Sequence, residues 1–233
     1  IISVDGAQGV PVIGANLSMD GINALPLLND VAEFDWLEGK GRLQVALGGQ
    51  GPHQRAVMES LTGKAELRLN DGAIVGFNIP QMIRGLGQGR VAGFNKVASE
   101  KTDFSEASVS FLLRGGVAET KDLNVASPLL RITGAGTVGV GQRQVDMIVK
   151  PKLVASLTGQ GGASGLSGLE IPVKIKGSWE KPAITPDMDA VLKDSGKIVD
   201  AVNEAIKGVQ SKGDGGQGAA GIANQILKQF MKK

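Results

Sequence analysis

Apolar residues recur at every second position along most of the chain, and only an extended strand puts alternate side chains on one face. Ala65, Leu67 and Leu69 alternate with Lys64, Glu66 and Arg68. Asp71-Gly72 reads as a hairpin turn, followed by Ala73, Val75, Phe77 and Ile79 on one parity. Val109, Phe111 and Leu113 oppose Ser108 and Ser110, and Arg114-Gly115-Gly116 turns the chain into a short strand with Leu123 and Val125. Leu130, Ile132, Val138 and Val140 share a parity, as do Val145, Met147 and Val149 after a turn at Gly141-Gln142. Ile171, Val173 and Ile175 close the series, with Lys174 and Lys176 facing away. Runs with one apolar face, joined by short turns, predict an antiparallel meander over about residues 3–178 rather than a parallel α/β sheet. Thr62-Gly63 and Thr133-Gly134, each ahead of a strand, suggest a weak strand–turn–strand repeat.

Helical spacing is rarer. Residues 23–33 place Ala24, Leu27, Leu28, Val31 and Ala32 on one stripe, with Pro26 tolerable only in a first turn. Shorter helices are predicted over 54–61 and, after Pro80, over 81–86. The strongest signal begins at Thr185-Pro186-Asp187, where Thr can cap, Pro suits the first helical position, and Asp187 and Asp189 complement the positive pole. An apolar stripe from Met188 through Val209 follows, then a last helix over 219–232. Glycine-rich stretches at 159–168 and 212–218 read as a flexible loop and a tether. The fold class is mainly β with α (α+β), with a β-domain over 1–182 and amphipathic helices over 183–233.

Composition closes off several function classes. Twenty-five basic and 23 acidic residues leave a net charge of +2, and there is no Tyr beside two Trp and six Phe. Neither the charge nor the aromatic supply suits a nucleic-acid partner. No Cys and a single His exclude thiol chemistry, disulfides, Cys-based zinc sites and a two-His metal site. Gly134-Ala-Gly136-Thr-Val-Gly139 matches G-x-G-x-x-G, but strand-like alternation follows it where a dinucleotide site needs a helix. Those glycines read as turn or close-packing residues. Asp187 and Asp189 fall roughly 200° apart on a helix, so capping and dipole complementarity account for them better than a carboxylate pair. His53 reads as an exposed loop residue. No catalytic residue, metal site or cofactor is predicted, and the chain is read as non-enzymatic. It has no run of 18 apolar residues and no signal peptide, and opening at Ile1 it reads as a piece of a longer protein.

The apolar parity has two meanings that residues alone leave open. One is a sheet face packed under helices. The other is a curved sheet whose apolar face is a groove for an apolar ligand. An aliphatic lining and a shortage of helices tilt toward the groove.

An ordered set of short motifs runs through residues 20–189. It comprises Leu27-Leu28, Trp36-Leu-Glu-Gly39-Lys-Gly41, Leu61-Thr-Gly63, Asp71-Gly72 with Gly76-Phe77-Asn78-Ile79, and Thr102-Asp103-Phe104-Ser105. Ser127-Pro128-Leu129-Leu130 with Gly134-Ala-Gly136 follows, then Ile171-Pro-Val173, Gly177-Ser-Trp179 and Lys181-Pro182. In this order they resemble the C-terminal region of the AsmA-like family. The resemblance implies a chorein-type, taco-shaped β-groove held in the bacterial inner membrane by an N-terminal helix, reaching through the periplasm and carrying phospholipids toward the outer membrane. It implies as partners the acyl chains of phospholipids, the remainder of the chain's own longer protein, and the outer-membrane inner leaflet or an envelope protein. A scaffold for outer-membrane protein assembly, without lipid transfer, is the alternative. Parity then assigns lipid contact to Leu67, Leu69, Val75, Phe77, Ile79, Val109, Phe111, Leu113, Ile132, Val138, Val145, Met147 and Val149.

The C-terminus has two readings. Ile222, Ile226, Leu227 and Phe230 share a helical face, and Lys228, Lys232 and Lys233 gather at its end. Such a helix suits docking on the mouth of the sheet, with its cations at the negative pole. It also suits contact with a membrane or a membrane partner through Ile222, Ile226, Leu227, Phe230, Lys232 and Lys233.

Overall fold

The computed structural model describes residues 1–5, 9–87, 96–154 and 170–187. The predicted meander forms. Its strands are β1 (Ile2–Asp5), β2 (Val12–Asn23), β3 (Leu37–Gln50), β4 (Thr62–Val75), β5 (Lys101–Arg114), β6 (Val117–Ala126), β7 (Leu130–Gly139), β8 (Gln144–Leu153), β9 (Val173–Ser178) and β10 (Ala183–Pro186). They lie in sequence order in one antiparallel sheet. β1 and β10 do not pair with each other, so the sheet stays open. Helices α1 (Ala24–Ala32), α2 (Gln54–Ser60) and α3 (Ile79–Gly87) fill the β2–β3, β3–β4 and β4–β5 connections. The helices expected after residue 187, and the face carrying Ile222, Ile226, Leu227 and Phe230, lie outside the described residues.

Some expectations are corrected. Asp71-Gly72 makes no hairpin; β4 continues through it with a bulge, the two residues lying opposite Gly39 alone on β3. A two-residue I′ turn needs positive φ at both positions, and of the pair only Asp71 has it, at 48°. Gly72 is instead a close-packing site, where a Cβ would lie 2.1 Å from the Glu38 carbonyl oxygen and 2.5 Å from the Phe104 ring. Val75 therefore ends β4, Phe77 lies in the following turn, and Ile79 opens α3 instead of closing a strand. Thr102 fastens that turn, its Oγ1 donating to the Phe77 carbonyl at 2.7 Å and accepting from the Ile79 N–H at 2.9 Å. Gly63 and Gly134 lie inside β4 and β7, not in turns. Thr185 and Pro186, expected to start a helix, belong to β10.

The buried core gathers at one end of the sheet's apolar face. Ala24 of α1 and Ile83 of α3 pack with Leu69, Phe104, Ala107, Val125, Leu130 and Leu153. Leu69, Leu130 and Leu153 are 0% exposed, and each buried leucine contributes about 1.5–3 kcal/mol. α2 closes the opposite end with Val57 buried and the Leu61 carbonyl accepting from the Gly116 N–H at 2.9 Å. His53, expected in a loop, is the N-cap of α2, its Nδ1 accepting from the Ala56 N–H at 3.1 Å. His53→Ala should lower stability by about 1 kcal/mol. Urea unfolding checks this, and an unchanged midpoint would mean the cap is idle.

The sheet is strongly curled. A flat sheet would hold β3 and β8 about 24 Å apart at about 4.8 Å per strand. Yet Glu33, at the C-cap of α1, accepts from Arg143 Nη1 of the β7–β8 turn at 3.3 Å. α1 reaches across the apolar side, and bulges at Gly21, in β4 at 71–72 and in β6 at 121–122 add twist.

Candidate functional site

Cross-strand partners point the same way, so the register assigns every strand residue to a face. One face carries the rows Leu43–Leu67–Val109 and Val45–Ala65–Phe111. Leu113, Ala118, Val138 and Val145 continue a neighbouring row, and Gly136, Met147, Ile175 and Ile184 another. The opposite face carries Ser18–Gln44–Glu66–Ser110 and Asp20–Arg42–Arg68–Ser108. The sheet is thus amphipathic across its whole width.

The expected contact residues divide between two environments. Leu69 and Ile132 are buried beside α1 and α3, Phe77 is buried against Trp36, and Leu113 is buried at the α2 end. Val109, Phe111, Val138, Val145 and Met147 are only half-buried, and Leu67 and Val149, also half-buried, pack against the core. Val75 and Ile79 are also half-buried, but they sit at the β4–α3 junction, off the central rows. Between the helix-covered ends runs a lane of partly open aliphatic side chains. Sequence reasoning missed its extension onto β2 and β3 through Leu17, Met19, Leu43, Val45 and Leu47, and onto β10 through Ile184. The alternation was present there, broken up by glycines 14, 21, 41, 48 and 49.

Gly134, Gly136 and Gly139 are strand residues of β7, and β8 follows them where a dinucleotide site needs a helix. A Cβ at Gly136 would meet the Asp146 carbonyl oxygen at 2.3 Å and Met147 Cγ at 2.8 Å. The glycine lets β8 and the Met147 side chain lie close. Among the described residues no group of three His, Cys, Asp or Glu side chains could hold a metal ion.

The sheet carries two clefts, the first on the face opposite the lane. One, of about 780 Å³, opens over the polar face and is lined by Asn16, Ser18, Gln44, Lys64, Glu66 and Ser110 among others. At its edge the Asp122 carboxylate accepts from Ser110 Oγ at 2.5 Å, from the Ser110 N–H at 2.9 Å and from Thr120 Oγ1 at 3.1 Å. The Ser110 hydroxyl bond is the main reason its pKa lies below the ordinary aspartate value. A carboxylate whose pKa is lower folded than unfolded stabilises the fold above the unfolded value, and that contribution is lost as pH falls through the folded one. Asp122→Asn should therefore flatten the acid limb of the stability curve, a small effect at so exposed a site. An acid limb identical to the unmodified chain's would show the bonds to be without consequence. The second cleft, of about 530 Å³, lies between the segment after α1, the turn after β4 and the β9–β10 turn.

The AsmA family profile matches residues 2–123, from β1 into β6. That is more than half of the 233 residues. The chain belongs to the AsmA family. Within the AsmA match fall the Leu43–Leu67–Val109 row, Phe111 and α1, α2 and α3. Over 161 residues the chain is 24% identical to Protein AsmA of Escherichia coli (strain K12), an alignment covering 67% of this chain and 26% of that protein. It thus spans about a quarter of the length of this AsmA relative. No solved structure matches the chain significantly. Among the described residues no helix is long and apolar enough to cross a membrane.

Proposed function

We propose that this chain is a segment of an AsmA-family envelope protein that shelters phospholipid acyl chains on the apolar side of its sheet during passage through the periplasm, in support of outer-membrane biogenesis. The observation that carries the reading is the lane of half-buried aliphatic side chains on β2–β5 and β7–β10, which among the described residues has helices packed at its ends. A diacyl lipid in water exposes about 30 methylenes at about 0.8 kcal/mol each. A route across an aqueous gap therefore needs an apolar lining, which this lane supplies without chemistry. Inner-membrane anchoring belongs, in this reading, to another part of the longer protein.

Mass spectrometry of an organic extract of the purified chain tests the proposal. Phospholipid recovered at a defined stoichiometry supports it. A clean extract would favour a scaffold for outer-membrane protein assembly, a reading supported by the open edge at β1, where Ile2 and Val4 are exposed.

The C-terminal residues Ile222, Ile226, Leu227, Phe230, Lys232 and Lys233 are proposed to contact a membrane or an envelope partner. Deleting residues 219–233 should then leave the β-domain folded and reduce sedimentation with anionic vesicles, more so at low salt. Equal pelleting of both forms would leave a docking helix as the account.

A further inference from the structure

The 530 Å³ cleft differs from the lane in chemistry. Trp36 and Phe77 wall it, with ring centroids 5.3 Å apart. Lys96 Nζ lies 5.6 Å from the Trp36 ring centroid and 2.5 Å from Asp35 Oδ1. Lys181 enters from the β9–β10 turn, exposed and without an ion pair among the described residues. Glu33 and Glu180 also line the cleft, and both accept from Arg143 just outside it, at 3.3 and 3.1 Å. Three cations thus face three carboxylates beside an aromatic wall.

The cleft is continuous with the lane. Ile184 lines it and pairs with Ile175, which pairs with Met147. A ligand with aliphatic chains on that row would bring its polar end to Trp36, Lys96 and Lys181.

We infer that this cleft receives the zwitterionic headgroup of a diacyl phospholipid whose chains lie on the apolar lane. Lys96 and Lys181 take the phosphate, while the Trp36 face and the carboxylates take the ammonium group. Balanced charge selects against a net anion, since three carboxylates repel the charge that the cations would attract. The inference rests on the groove reading above and adds the headgroup class to it.

Both tryptophans of the chain serve as reporters. Trp36 walls the cleft, and Trp179 lies beside it with Arg143 5.7 Å from its ring centroid. Dihexanoyl phosphatidylcholine, below its micelle concentration, should shift their emission saturably. Dihexanoyl phosphatidylglycerol should bind about tenfold more weakly, and Lys96→Gln with Lys181→Glu should weaken the choline lipid by about tenfold or more. Free phosphocholine should bind at least about a hundredfold more weakly, since it forgoes burial of the chains. Lys181→Glu alone, in an exposed turn, keeps the test open if the double variant misfolds. An acyl-chain dye displaced by lipid is the parallel measurement. Dye binding with equal affinity for the two lipids, or with choline-lipid affinity unchanged in the variants, overturns the headgroup site and spares the groove. Free phosphocholine binding as tightly as the lipid likewise overturns the lipid assignment. Failure of dye and both lipids to bind overturns the groove reading and this inference with it.

Discussion

Phe111→Asp and Met147→Asp should each abolish acyl-chain binding while leaving the sheet folded. Phe111 pairs with Ala65 and extends a row from Val45, and Met147 pairs with Gly136 and Ile175. Both side chains are half-buried, so a carboxylate there can still reach water in the empty protein. Once acyl chains fill the lane that access is lost, at about 2.5–3.5 kcal/mol on membrane-insertion scales. That is roughly a hundredfold or more in affinity. Leu130→Ala provides the contrast, because Leu130 is 0% exposed in the core and its truncation should cost about 2–5 kcal/mol of stability. Thermal melting and dye binding, measured together on all three, separate lane from core. If both Asp variants unfold, the lane is packed core, and if both still bind dye, these residues do not line the site.

Gly63→Ala should be among the most damaging single-methyl changes in the sheet. Gly63 has φ 132°, and its added Cβ would lie 2.1 Å from the Ala46 carbonyl oxygen and 3.0 Å from Leu47 Cα on β3. The obstructing atoms are all β3 backbone, so no flexible side chain can move aside and β3 and β4 must separate. Positive φ costs about 1–3 kcal/mol for a side-chain-bearing residue. Overpacking adds about 1–3 kcal/mol. A sum of about 2–6 kcal/mol is a large share of the roughly 5–15 kcal/mol that holds a domain together. Gly48, on the same strand pair opposite Thr62, is the control, since its Cβ would come no closer than 3.9 Å to anything. Gly48→Ala should stay within about 0.5 kcal/mol. Equal urea midpoints for the two variants would contradict the close approach at Gly63.

The antiparallel sheet and its two faces follow from local pattern. Alternation within a strand decides which side chains share a face, whatever the rest of the chain does, so Leu67, Val109, Phe111 and Met147 could be grouped from spacing alone. Gly115-Gly116 and Gly141-Gln142 could be read as turns, and 23–33 as a helix, for the same reason. Asp71-Gly72 could not, because whether such a pair turns depends on its φ angles, and the packing of Glu38 and Phe104 on Gly72 keeps the pair inside β4 as a bulge. Nor could parity separate Leu69 and Ile132 from Phe111 and Met147. All four lie on one face, but α1 and α3 cover only the first pair. The curl that brings Glu33 to Arg143 joins residues 110 apart in sequence. Coverage and curvature arise from contacts between distant segments, and a period of two carries no information about what lies above it.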